Sequence, residues 1–133
     1  NIALDRIQHI DNANVVFKKN DSVDFNTYFD DIIGVTIPKE NIKKEAVILR
    51  FSKGRFPYIV SKPIHPSQRI VEGEDCEVEI QIRPNKELYQ EIFSFIPDVE
   101  VISPQGLRND IIEKMKENLK KYSPVQKDCT DTK

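Results

Sequence analysis

Between residues 45 and 103 the apolar positions switch repeatedly from a period of two to helical spacing and back. Val47, Leu49 and Phe51 alternate with Ile48, Arg50 and Ser52, the period of a strand. Gly54 breaks it, and Pro57, tolerated in a first helical turn, opens a short helix over 56–61 that Pro63 ends. A brief apolar stretch at 68–72 predicts a second strand, and Glu72-Gly73-Glu74-Asp75 supplies the turn to the next. Over 76–83 the alternation is clean: Cys76, Val78, Ile80 and Ile82 share one face, Glu77, Glu79, Gln81 and Arg83 the other. Asn85 is a good N-cap for a helix carrying Leu88, Ile92, Phe93 and Ile96, which Pro97 stops. Val99, Val101 and Ile102 form a further strand, closed by Pro104. Leu107, Ile111, Ile112, Met115, Leu119 and Tyr122 then mark a helix over 107–122, its lysines gathered where the helix dipole favours cations.

That order is the split β-α-β arrangement, so the predicted class is α+β with a ferredoxin-like sheet covered by two helices. Two additions flank it: an extra strand at 32–37, from the β-rich run Ile32-Ile33-Gly34-Val35-Thr36-Ile37, and the closing helix. Residues 1–10, with Leu4, Ile7 and Ile10, read as a strand whose partners lie elsewhere. Residues 11–31 read as a linker, acidic through Asp21, Asp24, Asp30 and Asp31 and studded with Phe17, Phe25, Tyr28 and Phe29. Residues 32–122 form the domain itself, and 123–133, without apolar period, a disordered tail.

At 133 residues and 38% hydrophobic content the chain supports one core. Charged residues reach 32%, yet the net charge is only −2, so bulk charge excludes a polyanion-binding protein and leaves only local basic patches. Met115 is the single methionine, which points to a piece of a longer protein. No leader and no apolar run of membrane-spanning length is visible. Cys76 is expected as a buried thiol on its strand and Cys129 in the tail; no disulfide framework results, which fits a reducing, cytoplasmic setting.

Reactive chemistry is sparse. The basic residues Arg50, Lys53, Arg55, Lys62 and Arg69 surround His65, and guanidinium forks suit phosphate or other anions. The plainer reading is a solvated strand edge with scattered cations. His65 is either a pH-sensitive ligand contact or, the preferred reading, part of a tight connection in which Pro63 and Pro66 set the path while Ser67 and Gln68 satisfy backbone groups. His9 is far away in sequence, so no zinc tetrad and no cofactor site is expected. Lys53-Gly54-Arg55-Phe56 is too thin for a glycine-rich anion loop. His65 with Ser67 or Ser61 lacks a third orienting group, so an enzyme is not expected. An RNA-recognition sheet needs exposed stacking aromatics, and 76–83 presents glutamates instead.

Several fragments, in order, resemble the C-terminal part of bacterial WYL-domain transcriptional regulators. Ala3-Leu4-Asp5-Arg6-Ile7 looks like the last strand of their Sm-like barrel, and Tyr28-Phe29-Asp30-Asp31-Ile32-Ile33-Gly34-Val35 like the start of their C-terminal extension. Pro63-Ile64-His65-Pro66-Ser67-Gln68, Val99-Glu100-Val101-Ile102-Ser103-Pro104 and Leu107-Arg108 look like its later landmarks. The resemblance implies a WCX-like extension that dimerises the regulator or transmits a signal, with a DNA-binding winged helix and most of the barrel upstream. It further implies a nucleotide or single-stranded nucleic-acid effector held by basic residues, Arg6 among them. Where relatives often carry glycine after the second helix, this chain has Ile96-Pro97-Asp98. The runner-up reading is a stand-alone ferredoxin-like sensor of a small molecule.

Overall fold

A computed structural model describes residues 3–73 and 75–122. The expected disorder of 123–133, the thiol of Cys129, and the parts assigned to Ile2 and Glu74 lie outside the described residues. Seven elements build the domain in the predicted order. They are β1 (Glu45–Phe51), α1 (Phe56–Ser61), β2 (Arg69–Ile70), β3 (Glu77–Ile82), α2 (Lys86–Phe95), β4 (Val99–Ser103) and α3 (Gln105–Tyr122). The four strands form one antiparallel sheet in the order β2-β3-β1-β4. That is the ferredoxin-like weave, each helix crossing over a central strand.

Register follows the apolar alternation. Val47 faces Ile80 and Leu49 faces Val78 across β1 and β3, while Leu49 and Phe51 face Val101 and Val99 on β4. These residues close the core with Ile59 of α1, Leu88, Ile92 and Phe95 of α2, and Leu107 and Ile111 of α3. A register shift between Ile48 and Leu49 leaves Ile102 opposite no β1 residue, the signature of a bulge in β4. Helices α1 and α2 start where their sequence says, whereas α3 begins at Gln105, ahead of the expected start at 107. Pro57 lies in the first turn of α1, and the Asn85 side chain accepts from the Leu88 amide to cap α2. Ile96 and Pro97 are joined by a cis peptide in the turn to β4.

Three sequence expectations are corrected. Residues 32–37 form no strand. Gly34 sits at φ +69°, which breaks an extended run, and the Ile33 and Thr36 carbonyls bond to the Asn85 side chain rather than to a ladder. The described part of 1–10 contains a 3-10 turn at Leu4–Arg6 instead of a strand, with no neighbouring strand to pair with. Cys76 is not on the buried strand face. It takes a left-handed φ of 54° just ahead of β3 and is half-buried, because the chain turns there out of the β2–β3 connection.

Candidate functional site

The face of the sheet that no helix covers is charged, and its charges are paired. Arg50, near the end of β1, donates from Nε and Nη2 to Glu77 Oε1 at 3.0 and 2.7 Å, and Nη1 lies 3.6 Å from Glu100. Glu100 in turn meets Arg108 of α3 at 2.8 Å, and Arg108 also donates to the Val101 carbonyl. The bond to Glu77 holds the Arg50 guanidinium above its ordinary pKa. Its donors are spent on carboxylates, and Asp75 sits only 4.0 Å away, so an incoming anion meets competition from three acids.

The predicted gathering of Arg50 and Arg55 beside the His65 loop does not form, because the two arginines lie on opposite faces of the sheet. Arg55 stacks over Tyr58 at 4.5 Å and over Phe95, a core residue of α2, at 5.1 Å. Its Nε is buried without a hydrogen-bond partner, so this cation works as packing. Lys53 is exposed in the turn after β1 and Lys62 just past α1. Arg69 sits on the edge strand opposite Glu79, and Arg6 lies in the exposed N-terminal turn.

His65 is buried, at 5% exposure, in the connection after Pro63. Its Nδ1 lies 2.8 Å from Ser67 Oγ and accepts from the Ser67 amide. Gln68 accepts from the Ile64 amide and donates to the Ile59 carbonyl, which ties the loop to the end of α1. Ser67 Oγ accepts from the Gln81 amide, substituting for a strand partner beside β3. Burial lowers the His65 pKa and nearby Lys44 adds to it, while the backbone of Ile32 and Asp30 works the other way.

A concavity of about 870 Å³ lies between α2 and α3. Phe93, Ile96, Ile112, Met115 and Tyr122 make it apolar, and its charged lining residues are Lys114 and Lys116. Met115 is 44% exposed, although it follows Leu107 and Ile111 at helical spacing. The helices are tied at the other end of the groove by Tyr89, whose hydroxyl donates to Asp110 at 2.8 Å; burial, then Asp110, pushes the phenol up to about 12. The α3 residues were visible in the sequence as an apolar stripe, but the link from Tyr89 to Asp110 carries no sequence signal, since the two belong to different helices. Asn85 was legible as a cap and not as the holder of residues 33 and 36.

No group of three or more His, Cys, Asp or Glu side chains among the described residues is placed to hold a metal ion. Among the same residues no helix is long and apolar enough to cross a membrane. The fold and its surfaces thus define a small α+β module with one paired, charged sheet face and one apolar groove between helices. Residues 43–119, more than half of the chain, match the family of the WCX domain. The chain belongs to that family, which makes it a WCX domain of the kind that forms the C-terminal part of WYL-type regulators. No curated protein matches it.

Proposed function

We propose that this chain serves as the C-terminal regulatory domain of a WYL-type transcriptional regulator. It pairs with a second copy through the groove between α2 and α3 and relays effector occupancy to an upstream winged helix that contacts DNA. The observation that carries the reading is the apolar face of α3, which continues past the core through Ile112 and Met115 onto Phe93 and Ile96 of α2. A standard stable contact buries about 800 Å² per partner, and a two-fold pairing would set this face of the 18-residue α3 against its own copy. The relay is a shift between two domain arrangements and involves no covalent step. For an anionic effector the exposed cations Lys53, Lys62 and Arg69 are the contacts on this domain, with Arg6 on the N-terminal segment.

Sedimentation of the purified chain tests the pairing. A dimer is expected at about tens of micromolar, roughly 6–7 kcal/mol of association, and Met115→Glu shifts it to monomer while leaving the thermal transition in place. A monomer at every concentration overturns the reading. A melting-shift screen with nucleotides and short single strands tests the effector. A rise that Lys62→Glu with Arg69→Glu abolishes supports the cations named, and no rise with any ligand removes them.

A further inference from the structure

Residues 31–37 lie across the start of α2 without joining the sheet, and nearly all that holds them there is side chain. Among the described residues the one backbone-to-backbone bond to the domain runs from the Arg83 amide to the Asp31 carbonyl, at 2.7 Å. Asn85 does two jobs at once. Its Oδ1 accepts from the Leu88 amide and caps α2, while its Nδ2 donates to the carbonyls of Ile33 at 2.7 Å and Thr36 at 3.0 Å. Two residues on, Glu87 Oε1 accepts from the Thr36 hydroxyl.

Backbone shape is fitted to the same spot. Gly34 sits at φ +69°, and a Cβ there would come within 2.8 Å of Glu87 Cγ. The segment's apolar anchors are uneven. Ile32 is buried at 3% exposure and Ile33 packs against the core, but Val35 and Ile37 are already 53% and 38% exposed. Lifting 33–37 therefore costs the two Asn85 bonds, the Glu87 contacts to Thr36 and to the Val35 and Thr36 backbone, and the packing of Ile33, while Ile32 stays in the core. Each such bond changes an opening equilibrium by about two- to tenfold, so the segment opens far more readily than the core.

We infer that residues 33–37 form a releasable strap, hinged at buried Ile32 and latched by Asn85 and Glu87, so that force on the N-terminal segment is delivered to the cap of α2. The latch stands whether or not the domain pairs or binds an effector, because every contact in it lies within one chain.

Asn85→Ser separates the two jobs of Asn85. A serine hydroxyl still accepts from the Leu88 amide, but it lacks the amide donors that reach Ile33 and Thr36. In the whole chain, with Cys76→Ser and Cys129→Ser, a thiol placed by Ile33→Cys reports strap opening through its labelling rate. A thiol placed instead by Ile92→Cys reports opening of α2. Asn85→Ser is expected to raise the rate at position 33 about tenfold and to leave the rate at position 92 within about twofold. Equal acceleration at both positions makes the strap an ordinary part of the core and overturns the inference. So does an unchanged rate at position 33, or labelling there at the speed of a free thiol before any latch residue is changed. Thr36→Val, which removes the hydroxyl bond from the strap side and leaves the cap intact, gives the same two readings if Asn85→Ser does not fold.

Discussion

Burial at His65 has a consequence that pH reads directly. The imidazole is kept out of water, and Lys44 adds a repelling charge, so its folded pKa lies below the ordinary 6.5. The unfolded chain therefore binds the proton first. Stability is full above the unfolded pKa and declines as pH falls from about 7 toward the folded value. Thermal melts between pH 7.5 and about 5 should show a falling midpoint, and His65→Asn, which keeps an acceptor for the Ser67 amide, should flatten that slope. Glu87 also titrates low, because the Thr36 hydroxyl holds its carboxyl below the ordinary range. Its stabilisation is lost only below the usual carboxylate pKa, in a separate window. Arg55 makes a second residue-scale test. Arg55→Ala removes a guanidinium stacked on two rings and should cost about 1 kcal/mol in urea unfolding, more than Lys53→Ala in the neighbouring exposed turn.

Among the elements, α1 depends on one side chain. It is six residues long and Ile59 is its single buried residue, packed under Phe51, Phe95 and the sheet. Ile59→Ala should cost about 2–5 kcal/mol by denaturant unfolding, at the upper end if the helix detaches with its anchor. The same short helix was legible in the sequence because punctuation framed it: Gly54, Pro57 and Pro63 leave room for little else. Strands β1 and β3 were legible because a half-buried strand prints a period of two. The run 32–37 deceived for a related reason, since its β-branched residues carry strand propensity while the deciding fact, an Asn85 amide 49 and 52 residues away, is tertiary. Cys76 went astray by parity: the alternation runs through it, but the ladder starts one residue later at Glu77.

For the molecule as a whole, the basic residues were readable as a list and unreadable as a site. Their spacing in sequence says nothing of the sheet that separates Arg50 from Arg55, nor of the three carboxylates that collect around Arg50. The groove was half legible, as Met115 and Leu119 beyond the needs of the core, while its α2 wall of Phe93 and Ile96 came only with the fold. Charge compensation across the open sheet also sets an expectation for salt. Raising ionic strength screens the exposed pair between Arg108 and Glu100, so melting should shift little, whereas association through the lysine-flanked groove should strengthen as Lys114 and Lys116 repel their copies less. Sedimentation at low and high salt distinguishes this from a contact built on ion pairs, which weakens instead.

The two rims of the sheet are both blunted. On one side β2 is two residues long, too little template for a visiting strand; on the other, α3 flanks β4 and Arg108 occupies the Val101 carbonyl. Neither rim invites ribbon-like growth of copy upon copy. Strand addition at either edge is therefore disfavoured, which leaves the helices and loops of this domain as the surfaces open to other chains.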